Sequence, residues 1–178
     1  MSGKIDEKMG ETTGETRQAV RVAVITVSDT RTEADDAGGA ALVERLEAAG
    51  FHVPVRLIVR DEPDEVRGAI GRICDGDLAD AIVTTGGTGI APRDRTYEAM
   101  VGLLEKTLDG FGEAFRRLSW DEVGARSVLS RAVAGVHRGR IVAALPGSPK
   151  AVVLAVDRVL SPILAHAVAL ARGDKHGH

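Results

Sequence analysis

The residues best suited to chemistry lie in one glycine-rich stretch, residues 84–94, which reads TTGGTGIAPRD. A short apolar run at residues 80–83 precedes it and apolar residues at helical spacing follow it, which predicts a strand-to-helix turn. In an open parallel sheet, ligands bind at such turns, beyond the carboxyl ends of the strands. Gly86, Gly87 and Gly89 allow positive φ and a close approach to an anion, so that N–H groups converge on a phosphate in the space left by the missing Cβ atoms.

Four side chains add polar groups to this turn. Thr85 and Thr88 supply hydroxyls, Arg93 supplies a planar cation and Asp94 a carboxylate, which suit phosphate and metal chemistry. The alternative interpretation is a tight turn that simply requires glycine. The stretch contains neither Gly-x-Gly-x-x-Gly nor Gly-x4-Gly-Lys-Ser/Thr, so the sequence predicts a phosphate site of another type.

Two more strand-to-helix loops are predicted at the same edge of the sheet. The loop at residues 28–38 contains Asp29, Asp35 and Asp36, which could face a ribose or a base, or could be solvated turn residues. The segment 145–150, Leu-Pro-Gly-Ser-Pro-Lys, combines a Gly-Ser turn, a lysine and a new helix N-terminus, which are the features of a second anion site.

Other candidate residues keep two interpretations each. Asp61 follows a predicted strand, where it is either the N-cap of the next helix or a functional carboxylate. Ser119 and Ser130 lie in a region that holds most of the aromatic residues. That region forms either a wall for a planar organic ligand or a small satellite core.

The order of the predicted elements indicates an α/β fold, with a mostly parallel sheet and helices on both faces. Strands are predicted at residues 20–27, 52–59 and 80–83, and a hairpin at 132–145 adds an antiparallel edge. Short helices are predicted at 110–120 and 124–130.

The last predicted helix is long and begins at Ala151. Pro162 should bend or interrupt it. Its predicted inward face is Val152, Val156, Val159, Ile163 and Ala167.

Composition restricts the class of protein. The chain has 178 residues, 44% of them hydrophobic, 3% aromatic, and a formal net charge of −3, which together predict one domain with an aliphatic core and no nucleic-acid partner. A single cysteine, Cys74, permits no internal disulfide and favours a reducing compartment. Neither a secretory leader nor a membrane span is evident, so we expect a cytoplasmic protein. The expected organisation is a disordered tail at 1–18, a domain at 19–172 and a flexible tail at 173–178.

Four motifs occur in fixed order: TTGGTGIAPRDxT at 84–96, GFGExFR at 110–116, LSR at 129–131 and LPGSPK at 145–150. Together they resemble the MogA/MoaB family of molybdenum cofactor biosynthesis, which includes the G domain of gephyrin, and most closely its MoaB branch. The resemblance implies a three-layer α/β sandwich that forms homotrimers or hexamers. It also implies molybdopterin, ATP and other molybdenum cofactor biosynthesis proteins as partners.

The resemblance further implies an enzyme, a molybdopterin adenylyltransferase that is a Mg²⁺-dependent nucleotidyltransferase and releases pyrophosphate. Its two catalytic, metal-binding carboxylates would be Asp61 and Asp94. The molybdopterin site would comprise Thr85, Gly86, Gly87, Thr88, Gly89, Arg93, Ser119 and Ser130. The nucleotide and second phosphate site would comprise Ser28, Asp29, Asp36, Gly38, Gly147, Ser148 and Lys150.

Two other functions are weighed against adenylyl transfer. One is a non-catalytic molybdopterin-binding or regulatory oligomer of the same fold. The other is a nicotinamide-dependent dehydrogenase, which the missing dinucleotide fingerprint disfavours.

Overall fold

The computed structural model describes residues 19–174, so the tails expected at 1–18 and, from residue 175 onward, at the carboxyl end lie outside the described residues. Gly173 and Asp174, which we assigned to the second tail, close the final helix. Their amides donate to the carbonyl oxygens of Leu170 and Ala169, both at 3.1 Å.

The described chain contains one six-stranded sheet in the order β2-β1-β3-β6-β5-β4. The strands β2, β1, β3 and β6 are parallel, and β5 and β4 complete the sheet through antiparallel pairings. The strands are β1 (Arg21–Val27), β2 (His52–Val59), β3 (Ala81–Thr85), β4 (Lys106–Thr107), β5 (Val133–His137) and β6 (Arg140–Leu145).

Helices cover both faces of this sheet. They are α1 (Ala37–Ala48), α2 (Pro63–Asp75), α3 (Thr96–Val101), α4 (Asp109–Val123), a 3-10 helix (Gly124–Leu129), α5 (Pro149–Ala155), a π-helical turn (Val156–Leu160) and α6 (Ser161–Arg172). Residues of α1, α4, α5 and α6 form one hydrophobic core with the sheet, and residues of α2 and α3 form the other.

The alternation of side chains along the central strands divides them between these two cores. Val24 lies beside Val83 in the register and faces the first core, whereas Ala23 lies beside Ile82 and faces the second. All four side chains are fully buried, and burying one aliphatic side chain of the size of valine or isoleucine contributes about 1.5–3 kcal/mol. A shift of one residue would exchange the two faces, so hydrophobic burial fixes this register.

The predicted fold class is confirmed, and β2 has the predicted limits, residues 52–59. The strand β4 and the helix α4 differ from expectation. The strand β4 was missed, because its two exposed residues carry no apolar pattern. The helix α4 was predicted at 110–120 but has 15 residues, because it continues as far as Val123 before Gly124 ends it with φ of 61°.

The last helix departs from its predicted face after the π-helical turn. Ile163, predicted to face inward, is exposed, whereas Leu164 and Val168 are buried. A π turn holds one more residue than an α turn, so it shifts the inward face by one position. The turn directly precedes Pro162, which lacks an N–H group and disfavours the regular α-helical hydrogen-bond pattern there.

By length and composition alone, the continuous helix Pro149–Arg172 could cross a membrane, although no membrane span was evident from the sequence. In the fold it is a core helix. Val152, Leu160, Leu164 and Val168 are buried against the sheet and its neighbouring helices.

Candidate active site at the carboxyl edge of the sheet

Three loops meet where the central parallel strands end. Thr26 of β1, Thr85 of β3 and Leu145 of β6 lie side by side in the register, so the loops that follow leave the sheet at one level. Glycines let these loops touch. A Cβ on Gly38 would lie 2.7 Å from the carbonyl oxygen of Gly147, and one on Gly147 would lie 3.3 Å from Cα of Gly86.

The glycine turn, residues 86–89, begins with two residues in the left-handed region, Gly86 at φ 106° and Gly87 at φ 64°. A Cβ on Gly86 would lie 2.3 Å from the carbonyl oxygen of Val27. Within the described residues, the amides of Thr88 and Gly89 donate to no acceptor, which leaves N–H groups of the turn available to an anion.

Beside this turn lies a cleft of about 630 Å³. Its polar side chains are drawn from the turn, from α4, from the 3-10 helix and from the loop after β6. The lining residues that we predicted as site residues are Gly86, Gly87, Thr88, Gly89, Ser119, Ser130, Asp94, Gly147, Ser148 and Lys150. The structure therefore brings together most of the expected molybdopterin and second-phosphate residues.

A more open groove of about 780 Å³ adjoins this cleft and shares Glu122, Lys150 and Leu154 with it. It is formed by the outer surfaces of α4, α5 and the π-helical turn, and no residue of the glycine turn lines it. The cleft is therefore the better candidate for phosphate chemistry.

The two predicted carboxylates flank the glycine turn. Asp61 packs against Gly87, where a Cβ would lie 2.3 Å from Oδ2 of Asp61. Asp94 packs against Gly89, where a Cβ would lie 2.5 Å from Oδ2 of Asp94. The space beside the missing Cβ of Gly87 therefore holds Asp61 and the hydroxyl of Thr96, and our expectation that it holds a phosphate is wrong.

Asp61 does not cap α2, so that interpretation is also wrong. The N-cap position belongs to Glu62, and no side chain caps that helix. Instead, Oδ1 of Asp61 accepts hydrogen bonds at the start of α3, from the amide of Arg95 (3.2 Å) and the hydroxyl of Thr96 (3.4 Å).

The surroundings of Asp61 disfavour its negative charge. The residue is only 6% exposed. Burial raises the pKa of its carboxyl group, and the negative charges of Asp94 and Asp29 act in the same direction, although the hydrogen bond from the Arg95 amide opposes them. A cation bound between Asp61 and Asp94 would offset both the cost of burying the negative charge and the repulsion between the carboxylates.

Asp29 and Arg93 form an ion pair, and neither residue lines the cleft. Nε of Arg93 donates to Oδ2 of Asp29 at 3.2 Å, and this hydrogen bond is the main cause of the lowered pKa of Asp29. Oδ1 of Asp29 accepts from the amide of Asp61 at 3.3 Å. Arg93, predicted to bind molybdopterin, thus joins the loop after β1 to the turn and does not line the cleft.

Asp36, predicted on the nucleotide side, is enclosed in the fold. Its carboxylate caps α1 through the amide of Gly39 (2.8 Å) and accepts from Thr26 Oγ1 (2.7 Å) and Arg56 Nη2 (2.9 Å). Burial opposes ionisation, but these three hydrogen bonds hold the pKa of Asp36 below its usual value. Its side chain has no exposed surface, so we assign it a structural role.

The remaining predicted residues support the loops. Oγ of Ser28 accepts from the amides of Thr30 and Arg31 and so shapes its own turn. Oγ1 of Thr85 donates to the carbonyl oxygen of Pro146 at 2.9 Å and ties β3 to the loop after β6. Ser148 is the N-cap of α5, where its hydroxyl accepts from the amide of Ala151 at 3.2 Å.

Sequence reasoning missed several residues of the cleft. Phe115 packs into the main core rather than into a satellite core and also lines the cleft, where the wall for a planar ligand stays a prediction. Ser127 is buried, and among residues 19–174 its Oγ atom has no hydrogen-bond partner, which leaves a donor for a ligand. The other missed residues include Glu122, Val123, Arg126 and Leu129. Their position beside Ser119 and Ser130 was the only signal available.

Comparisons with known proteins find similarity over most of the chain. A family model described as a probable molybdopterin binding domain matches residues 23–166. The molybdenum cofactor biosynthesis protein B of Bacillus subtilis (strain 168) is 46% identical over 157 residues, which cover 88% of this chain and 92% of that protein. A crystal structure of a molybdenum cofactor biosynthesis protein B has a TM-score of 0.85 at 39% identity, covering 88% of this chain and 98% of that one. The tungsten cofactor synthesizing protein MoaB from Pyrococcus furiosus has a TM-score of 0.79 at 38% identity, covering 87% of this chain and 98% of that one.

Proposed function

The chain belongs to the MogA/MoaB family of molybdenum cofactor biosynthesis proteins, and we propose that it transfers the adenylyl group of ATP to molybdopterin. An oxygen of the terminal phosphate of molybdopterin forms a bond to the α-phosphorus of ATP. The bond between that phosphorus and the β-phosphate bridging oxygen breaks, so that pyrophosphate leaves.

The observation that carries this proposal is the position of Asp61 and Asp94, which pack against Gly87 and Gly89 of one anion-binding turn. Phosphoryl transfer depends mainly on positioning and on stabilising negative charge. A turn with available amides can hold the acceptor phosphate at the cleft. Asp61 and Asp94 lie beside that turn, where they can bind a cation that neutralises the charge of the phosphates. An unrelated structural turn has no need of two acidic side chains against its glycines.

The donor set fits Mg²⁺, which usually binds one or two carboxylates and takes its other ligands from water and substrate phosphates. No group of three or more His, Cys, Asp or Glu residues suited to a metal occurs in the described part of the chain, so the substrates would have to complete the coordination. Asp61 and Asp94 would hold the ion. When bound, it would offset the negative charge that develops on the transferred phosphate.

The substrates would occupy opposite sides of the glycine turn. In the cleft, Ser119, Ser130 and the unpaired hydroxyl of Ser127 would orient molybdopterin, and Phe115 would supply apolar contact. ATP would lie towards Asp29 and Arg93. The side chain of Arg93 is 65% exposed, and its guanidinium could exchange Asp29 for a nucleotide phosphate.

Incubation of the protein with molybdopterin, ATP and Mg²⁺ tests this function. We expect adenylylated molybdopterin and pyrophosphate in equal amounts, with no product when Mg²⁺ is chelated. Retained molybdopterin binding without any product would contradict the transferase and favour the non-catalytic binding protein.

We also propose that the protein is a homotrimer or a hexamer, as the family resemblance implies. Light scattering at micromolar concentration should give the mass of three chains or six. Removing residues 1–17 should leave this mass and the melting temperature nearly unchanged, because the sequence predicts a disordered tail there. A monomeric mass for the intact chain would contradict the assembly without bearing on the fold.

A further inference from the structure

Arg131 belongs to the LSR motif but is not among the predicted site residues. It lies between the 3-10 helix and β5, and its contacts run to the glycine turn. Its amide donates to the carbonyl oxygen of Thr88 (3.1 Å), its Nε to that of Gly89 (2.9 Å) and its Nη2 to that of Asp94 (3.0 Å). One residue therefore binds three carbonyl groups of the segment that carries Asp94.

The guanidinium is itself held in place. It forms an ion pair with the carboxylate of Glu98 on α3 and lies 4.8 Å from the centre of the Tyr97 ring. These contacts fix the plane of its donors, and a planar fork with several donors is a property of arginine that lysine lacks.

The planarity of the peptide bond extends the effect of Arg131 to the other side of the turn. In a trans peptide the C=O and the following N–H point in opposite directions. Because the carbonyl groups of Thr88 and Gly89 point at Arg131, the N–H groups of Gly89 and Ile90 point away from it. The carbonyl of Asp94 also points at Arg131, and the following amide, that of Arg95, donates to Oδ1 of Asp61 at 3.2 Å.

We infer that Arg131 is the positioning residue of the site: it orients the amides of Gly89 and Ile90 and fixes both carboxylates. It holds Asp94 through the backbone of that residue, and Asp61 through the peptide between Asp94 and Arg95. This inference rests on the proposed adenylyl transfer, but its geometry concerns the turn itself.

Arg131→Lys tests the inference, since lysine keeps the charge and loses the fork. We expect kcat for adenylyl transfer to fall about 10- to 100-fold, the range seen when a supporting contact or a reacting geometry is disturbed. KM for molybdopterin and for ATP should change little. Arg117→Lys is the matched control, because Arg117 pairs with Asp121 on the exposed side of α4 and does not contact the turn.

Hydrogen exchange distinguishes the ordering of the turn by Arg131 from a general stabilisation of the fold. The measurement does not depend on enzymatic activity. In Arg131→Lys the exchange of peptides covering residues 86–95 should rise, whereas exchange in β1 and β6 should stay at the wild-type level. Equal increases throughout the core, or an unchanged turn with unchanged kcat, would overturn the inference. If the wild-type protein forms no product, adenylyl transfer fails as the function, but the exchange result still decides whether Arg131 orders the turn.

A second variant covers the case in which Arg131→Lys does not fold. Glu98→Gln leaves Arg131 and its three carbonyl contacts in place but removes the carboxylate that anchors the guanidinium. We expect a smaller fall in kcat and a smaller rise in exchange over the same segment. No change in either measurement would contradict the role of Arg131.

Discussion

Asp61→Asn and Asp94→Asn should each lower the turnover of adenylyl transfer by about a hundredfold or more, the scale of losing one group that stabilises charge in the transition state. Asparagine keeps the size of each side chain and one acceptor oxygen, so the amides of Arg95 and Ala91 retain their partners. Molybdopterin affinity should stay close to that of the wild type, because the turn and the cleft are intact.

The thermal stability of the Asp61→Asn variant shows whether Asp61 acts as a metal ligand or as a carboxylate that supports the fold. Burial raises the pKa of Asp61 in the folded state, so the folded protein binds more protons than the unfolded chain between the unfolded and folded pKa values. The stability of the wild type therefore decreases as pH rises through this window. At neutral pH the asparagine variant should melt no lower than the wild type, and added Mg²⁺ should raise the melting temperature of the wild type alone.

Asp64→Asn is the control for these substitutions, since Asp64 is exposed on α2 and forms an ion pair with Arg67. It should leave turnover and stability unchanged. Near wild-type turnover in Asp61→Asn, with Asp94→Asn inactive, would leave a site with one carboxylate.

Gly87→Ala should destabilise the protein by about 2–5 kcal/mol, combining left-handed strain with overpacking. At φ 64° the new methyl group would lie 2.2 Å from Oγ1 of Thr96 and 2.3 Å from Oδ2 of Asp61. Either the turn or Asp61 must move, so turnover should also fall strongly. Thermal unfolding and the adenylyl transfer assay measure the two effects.

Gly71→Ala is the matched control for Gly87→Ala. Gly71 lies inside α2, and apart from the backbone of that helix no atom of the described residues lies within 4 Å of the position of its Cβ. Alanine there should stabilise the protein by about 0.5–1 kcal/mol, because it favours the helix more than glycine does. A Gly87→Ala protein as stable and active as the wild type would show that the turn can place Asp61 without glycine.

Local patterns predicted the elements well where burial repeats along the chain. The alternation in residues 52–59 gave β2 its limits, and the glycine cluster after β3 predicted the turn, because both signals arise from neighbouring residues. Patterns failed at β4, which has two exposed residues, and at Ile163, where the π-helical turn changes the face that the final helix buries.

Three site residues show why the sequence could not assign every role. Asp61 stands directly before a helix and matches a cap, yet its partner is the amide of Arg95, 34 residues later. Asp36 and Arg93 match ligand-binding residues by type, yet the first is enclosed with Thr26 and Arg56 and the second is paired with Asp29. Residue type indicates which bonds a side chain can form, but not which partners are within reach.

The sequence by itself therefore determined the α/β class, the glycine turn and the family to which the chain belongs, since these depend on periodicity, on glycine and on motifs. Only the tertiary structure decided that Asp61 and Asp94 flank one turn, that Arg131 binds its carbonyl groups and that Arg93 pairs with Asp29 and does not line the cleft. The physical reason is that these contacts depend on the strand order β1-β3-β6, which places the loops after the three strands side by side. That order results from burying both faces of the sheet together, a balance summed over the whole chain and not encoded in any one segment.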